Sequence, residues 1–547
     1  MMKYKFLVLI FSIVNYAYGQ PKNESGNISI TSNKTATKVS IQDNGELLVN
    51  VSPQDLQKIK SKAFVSYSDF GAVGDGKTDD IDAIAATHAF ANQYQIPVKV
   101  DGKSKYYISG KGRTAYIQTN TNFGDASFII DDTQVQNRNL PVFMISSTFK
   151  PFKLKGITAL KRNQDKINVS LSGTHLITVS NATMKQYIRF GANQNSGKAQ
   201  TDIFIVDKNG NIDSRAPIIW DFDTITDITA LPMDSTMLIL KGGHFTTIAN
   251  KENSKYSYYS RGISIRRSNV LVEGLEHRVI GEGETGAPYG GFINIGDCAN
   301  VTVKNTLLTG HKVYKTIGAA GVPVSMGTYD LSVNKALNVS FINCSQTNDI
   351  NDSAYWGILG SNYSKNLLYD GCSFSRFDAH MGVANATIRN SKLGHQGINA
   401  IGSGKFLVEN STIYSRHLIN LRPDYGSTWE GEFIIRNCTF APSNVKMASL
   451  IGGAYSGQHN FGYTCYMPEK ITIENLRIDD TKSPLDYEGP AIFANFNPKM
   501  KDESYQEKFP YVKTKEVNIK NLNILSGKPL RVSDNTFMFK DVKVNKQ

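Results

Sequence analysis

Long apolar runs are missing from this chain: beyond its first twenty residues, no stretch approaches the roughly 18 consecutive apolar residues that a membrane-spanning helix needs. Cysteine is scarce, with 5 in 547 residues. The odd count, without any CxxC spacing, points neither to a disulfide framework nor to a zinc site. Acidic residues are outnumbered, 48 to 60, giving a net charge of +12. That balance favours an acidic partner, whether nucleic acid, a membrane surface or a polyanionic glycan. Charged residues make up only 20% and hydrophobic ones 40%, which is the composition of an ordinary folded soluble protein.

The amino terminus narrows the choice of partner. Lys3 and Lys5 precede the apolar run Phe6 to Val14, and Ala17-Tyr18-Gly19 places small residues where a signal peptidase would cut. Residues 1–19 therefore read as a signal peptide and the protein as secreted or periplasmic, with neither nucleic acid nor membrane as partner. Residues 20–64, rich in Asn, Ser, Thr and Lys, read as a flexible leader or an edge-covering segment.

What the chain has in abundance is a short repeated strand. Leu367–Cys372, Ala386–Ser391, Phe406–Ser411 and Phe433–Cys438 each alternate apolar and polar residues and end in Gly or Asn followed by Cys or Ser. From Gly371 to Asn390 is 19 residues, from there to Asn410 is 20, and from there to Asn437 is 27. Weaker copies stand at Val272–Leu275, Val301–Thr306, Val339–Cys344, Ile471–Leu476 and Val517–Leu522. A period near 20 built on two-residue alternation is the mark of a parallel β-solenoid, with the longer gaps as loops. Cys344, Cys372 and Cys438 share one position of the repeat, as small inward-facing residues. Asn390, Asn410 and Asn437 would form a structural ladder.

Ahead of these repeats, Asp69-Phe70-Gly71-Ala72-Val73-Gly74-Asp75-Gly76-Lys77-Thr78-Asp79-Asp80 is followed by an Ala-rich helical face. Thr78 is the expected helix cap, with Asp79, Asp80 and Asp82 in the first turn. This pattern resembles the amino-terminal signature of the pectin-lyase-like superfamily, which includes polysaccharide lyases, polygalacturonase-type hydrolases and phage tailspikes. The resemblance implies a single-stranded right-handed parallel β-helix with an N-terminal capping α-helix. It also implies that these acids and His88 are structural. Residues 65–260 then hold the cap and irregular early coils or a β-rich insertion, and 261–547 hold regular coils with the groove. Asp207 to Ile218 resembles a calcium loop but reads better as a hairpin turn, since Ile212 and Ile218 replace the required Gly and Glu.

The stretch from Cys372 to Trp429 concentrates the chemistry. Stacking the repeats is expected to bring His380, then His395 or Gln396, then His417 near the start of equivalent strands, with Trp356 one coil earlier. For β-elimination of a uronate polymer, a base must remove the C5 proton, an acid must protonate the leaving oxygen, and a cation must neutralise the carboxylate. His380 and His395 are the base and neutraliser candidates in open order, Tyr425 is the proton donor, and Arg376 and Arg422 are the carboxylate clamps. His417, Asp378, Asp424, Trp429 and Trp356 would bind substrate.

No cofactor is required on this reading. Some lyases of the fold use calcium, however, and Asp378, Asp424 and Glu430 could hold one. The rival is a hydrolase pairing Asp378 with Asp424 or Asp297. Against it, the hydrolase signatures N-T-D, D-D, G-H-G and R-I-K are absent in order, and Gly394-His395-Gln396-Gly397 carries one residue more than G-H-G. A non-catalytic glycan binder is the third class. The expected substrate is an acidic polysaccharide, with glycosaminoglycans such as chondroitin or hyaluronan ahead of pectate and alginate.

Overall fold

The alternation read from the sequence becomes the wall of a solenoid. In Val301–Lys304, Val339–Ile342, Leu367–Asp370, Ala386–Arg389, Phe406–Glu409, Phe433–Arg436, Ile471–Glu474 and Val517–Lys520, the first and third residues are buried and the second and fourth point outward. Successive segments pair in parallel and in register, so Val301, Val339, Leu367, Ala386, Phe406, Phe433, Ile471 and Val517 form one inward row. Side chains that stack on themselves every coil bury a continuous apolar core without long-range topology. A computed structural model describes residues 27–28, 37–41, 47–442 and 445–547 of the chain. Its main body is a right-handed parallel β-helix built from a 26-stranded sheet. The expected signal peptide lies outside the described residues. No helix among the described residues is long and apolar enough to cross a membrane.

Register is held at the corner of each coil by asparagine in the left-handed region, a conformation that Asn tolerates better than branched residues do. Asn300, Asn338, Asn366 and Asn385 all have positive φ. Each donates its Nδ2 to the Oδ1 of the one before, at 2.9, 2.8 and 3.2 Å, across intervals of 38, 28 and 19 residues. A second corner carries Asn390, Asn410 and Asn437, also at positive φ, and Asn475 donates to Asn437 at 2.7 Å. Cys344, Cys372 and Cys438 are buried free thiols beside this corner.

The amino-terminal opening is closed by two helices. Helix α1, Pro53–Ser61, is capped by Ser52, whose hydroxyl accepts from the Asp55 amide at 3.1 Å. Helix α2, Ile81–Tyr94, buries Ile81, Ile84, Phe90 and Ala91 over the first coil. It starts later than the sequence suggests, because Asp75 takes both the Thr78 amide and the Thr78 hydroxyl into a turn. The cap position passes to Asp80, whose carboxylate accepts from Val73 and Gly74 at 2.7 and 3.1 Å. His88 is buried and meets the Tyr67 hydroxyl at 2.8 Å. Strand Leu47–Val51 buries Val49 against this cap.

One corner is expanded into a lobe. Ser146 and Arg266 stack in adjacent coils, as do Leu238 and Val270. The later coil crosses the corner with residues 267–269 alone, whereas the earlier one sends out residues 147–237. Within that insert, strands Phe152–Lys153, His175–Gln186, Lys198–Val206 and Asp227–Pro232 form an antiparallel sheet over its own core of Ile177, Val179, Phe204 and Phe222. Asp207 to Ile212 is the expected hairpin turn. The lobe docks on the solenoid through Leu176, Ile203 and Ile205 against Ala299 and Leu337, and through a buried Lys365–Asp202 ion pair at 2.8 Å. Coil strands therefore flank the insert on both sides.

Candidate active site

Two irregularities in the stack create the site. In Ser373–Arg389 the register against the preceding strand slips at His380, which stands unpaired between Ala379 and Met381. Such a bulge re-aims a side chain out of the alternation. One coil on, Phe374 pairs with Leu393 and Arg376 with Gly397, so Gly394, His395 and Gln396 together oppose Ser375 alone. The Gly-His-Gln-Gly stretch carries this bulge, two residues longer than its partner. The three histidines consequently do not stack, because each slip displaces its coil differently. What stacks instead is Asp378, Asn399 and Asn420.

Around this row runs an alternating chain of charge. Arg376 Nη2 meets Asp378 at 2.8 Å, Arg422 Nη1 meets Asp378 at 3.1 Å, and Arg422 Nη2 meets Asp424 at 2.6 Å. Arg189, from the inserted lobe, closes the chain with Nε on Asp424 at 2.8 Å. Three guanidiniums against two carboxylates leave a positive surplus. Burial pushes the carboxyls of Asp378 and Asp424 up, but the arginines outweigh it: Asp378 is held below the usual range by Arg376 and Arg422, and Asp424 is held at about 2 by Arg422 and Arg189. Arg376 packs over Gly357, where a Cβ would clash, and its guanidinium lies 5.0 Å from the Trp356 ring.

His380 is fixed from both ends. Its Nδ1 donates to Asn362 Oδ1 at 2.9 Å, which leaves the lone pair on Nε2, and Tyr425 donates its hydroxyl to that nitrogen at 3.3 Å. Burial first, and then the charge of Arg422, lower the imidazole pKa to about 3, so it is neutral around pH 7. Tyr425 is only 2% exposed and stands behind His380, among Tyr187, Tyr363 and Tyr463. Burial raises its phenol to about 12.

A cleft of about 430 Å³ opens over these groups, bordered by His380, Arg376, Arg422, Arg189, Asn399 and Asn420. Trp356 and Gln396 also border it, together with three tyrosines, Tyr256, Tyr258 and Tyr329. The expected Arg376, Arg422, His380, Tyr425, Asp378, Asp424 and Trp356 are thus brought together. Others fall elsewhere. Trp429 is 0% exposed, packs on Phe406 and Phe433, and donates its indole N–H to Gly404 O, so it is core and not a binding surface. His395 turns its Nε2 to the Tyr355 carbonyl at 3.2 Å, and His417 packs over Gly452 with its Nδ1 on the Ser449 hydroxyl at 2.7 Å. Neither lines the cleft. Asp378 is 0% exposed behind its arginines and cannot touch a ligand directly. Asp297 is exposed and outside the cleft. Of the three carboxylates named for calcium, Asp378 and Asp424 are engaged as above, and Glu430 pairs with Arg162 at 2.9 Å.

Sequence reading missed Arg189, Asn362 and the three cleft tyrosines. Arg189 belongs to an insert without the repeat, so no ruler reached it. A further constellation, Thr247 with His277 at 2.9 Å and His277 with Asp330 at 2.8 Å, has the order of a hydroxyl-imidazole-carboxylate relay. All three are 4% exposed or less, which closes it to substrate.

No protein-family model matches the chain. A KL64-specific capsule depolymerase of Klebsiella phage P510 is 31% identical over 127 residues, a match covering 20% of this chain and only 12% of that protein. Tailspike gp61 of Pseudomonas phage phi297 superposes with a TM-score of 0.52 at 12% identity, covering 87% of this chain and 83% of that one. Tailspike gp49 of Pseudomonas phage LKA1 gives 0.48 at 13% identity, covering 86% and 83%. The likeness to gp61 agrees with the parallel β-helix described above and concerns the fold alone.

Proposed function

We propose that this protein is an exported enzyme that cleaves a uronate-containing polysaccharide by β-elimination in the arginine-lined cleft. The observation that carries this reading is the neutral His380, its Nε2 lone pair directed by Asn362, beside carboxylates that arginines hold ionised. Hydrolysis by paired carboxyls needs one that keeps its proton near neutral pH. Asp378 and Asp424 are both driven the other way, so the cleft favours imidazole chemistry.

The steps follow from position. The substrate carboxylate sits against the surplus guanidinium charge of Arg376 and Arg422, which withdraws electrons and acidifies C5. Its negative charge also offsets Arg422, which with burial and Arg189 depresses His380. Nε2 then takes the C5 proton, the C5–H electrons form the C4–C5 double bond, and the C4–O bond breaks. The leaving oxygen receives the proton that Nε2 has just accepted. Tyr425, expected as the proton donor, is 2% exposed behind His380 and acts instead through it, holding the ring until substrate displaces its hydrogen bond. The matched depolymerase is named for a capsule, which makes capsular polysaccharides candidate substrates beside the glycosaminoglycans, pectate and alginate expected from the sequence.

The test is a panel of uronate polymers, capsular and glycosaminoglycan, followed by ultraviolet absorbance of unsaturated ends and by reducing ends, with and without chelator. Both signals together support elimination, and His380→Ala should abolish both. Reducing ends without absorbance would replace it with hydrolysis, and silence on every polymer would leave a glycan binder.

A further inference from the structure

Beyond Arg189 the cleft does not end. Arg189, Asn193 and Pro423 also border a second compartment of about 590 Å³, and its character is different. There the walls are Phe190, Phe461, Phe496, Val324 and Pro498, with Lys499 at the rim. Phe461 and Phe496 are buried to 4% and 1%, so only part of each ring faces the space. Phe190 is 50% exposed. It is nonetheless held: its backbone N–H donates to Asp424 O at 2.9 Å, and its ring lies 5.0 Å from that of His459. A large aromatic kept in water on a fixed backbone, at the mouth of an apolar hollow, is a surface built for contact.

Continuity with the arginine cleft decides the occupant. A chain lying across Arg189 passes from a compartment that selects negative charge to one that offers aromatic faces, its charges confined to the Arg189–Asp424 pair and Lys499. We propose that the second compartment is a sugar subsite for the unit adjoining the uronate, and that it selects a unit carrying an apolar methyl-bearing face, a 6-deoxyhexose or an N-acetylhexosamine. The proposal rests on the polysaccharide reading above and adds to it a repeat in which acidic and apolar-faced sugars are neighbours. Apolar pockets with a few polar groups at the rim hold ligands by contact area and take orientation from the polar atoms. Here Asn193 and Lys499 supply those atoms.

Saturation-transfer NMR on the whole protein tests this with four free sugars: rhamnose, N-acetylglucosamine, glucose and glucuronate. The methyl protons of the first two should receive several-fold more saturation than any proton of glucose. Phe190→Ala should remove that excess and Phe190→Trp should keep it, while the glucuronate signal is unchanged in both. Phe190 is half exposed, and an unchanged melting temperature verifies that the variants are folded. Equal transfer to rhamnose and glucose, or an excess that survives Phe190→Ala, would overturn the subsite. A methyl-specific signal lost in Phe190→Ala, with every uronate polymer left uncut, would instead retain the subsite and refute the elimination reading.

Discussion

Arg189 and Asp424 are 235 residues apart in the chain and 2.8 Å apart in space. The contact ties the inserted lobe to the coil that carries Arg422, and it places a cation from one structural unit over Tyr425 of the other, 5.4 Å from the ring. Replacing Arg189 with alanine should lower kcat/KM by about 10- to 100-fold, equivalent to roughly 1.4 kcal/mol per factor of ten. Lysine should recover only part, because it lacks the planar fork. Thermal unfolding measured in parallel should change little, as the lobe is held separately by Lys365 and Asp202.

Asn362 sets the tautomer of His380, and a charge at the same place would set its pKa. Burial and Arg422 keep the imidazole near 3, so kcat/KM of the natural protein should show no acid limb from this group between pH 5 and 8. Asn362→Asp adds a carboxylate beside Nδ1 and favours the charged ring. An acid limb should then rise into the pH 5–7 range, visible in a pH-rate profile. A limb there in the natural protein, unmoved by Asn362→Asp, would count against His380 as the proton acceptor.

Sealed inside the coils, His311 faces Asp330 at 3.1 Å and Glu282 at 3.4 Å, and stacks on Tyr289 at 4.6 Å. Burial opposes its charge, but the hydrogen bond to Asp330 and the nearby Glu282 carboxylate prevail and raise it to about 9. A folded pKa above the unfolded 6.5 stabilises fully below pH 6.5 and is lost as pH rises towards 9. Melting temperature should therefore fall between pH 7 and 9, and His311→Gln should flatten that slope while lowering stability at pH 6. His277, also on Asp330, and the raised phenols of Tyr289 and Tyr314 are the other titratable groups packed there.

The two tryptophans of the site region should separate cleanly. Trp429→Ala opens a core cavity and should cost about 3–5 kcal/mol in urea unfolding. Trp356→Ala removes a ring from under Arg376, a contact of roughly 0.5–2 kcal/mol, and should act mainly on KM.

That division shows where sequence reading reached and where it stopped. The coil ruler on Gly371, Asn390, Asn410 and Asn437 is a local pattern repeated, and these residues do occupy one corner of successive coils. Composition within Cys372 to Trp429 also located Arg376, His380 and Arg422 in one cleft. Extrapolating the ruler to His395 and His417 failed, because bulges insert residues that no periodicity announces. Trp429 was misplaced for a related reason: it pairs with Gly402 on an inward position, and its burial depends on that register. Arg189, Tyr256 and Tyr258 reach the site by tertiary contact alone, whereas Tyr329 opens the coil strand Tyr329–Ile342.

The corner spanned by residues 267–269 in one coil and by 147–237 in the coil before it has a practical meaning. Both ends of the insert are clasped, Ser147 to Asp234 at 3.1 Å, and Asp234 is held in turn by Arg267 at 3.1 Å. The lobe is thus a cassette on a scaffold that does not count its length. Exchanging it would swap Arg189, Phe190 and Asn193 as one block while the stacked asparagines kept their spacing. A cleft on such a frame can be re-specified by grafting one segment, provided the replacement keeps the apolar seat on Ala299 and Leu337 and a partner for Lys365.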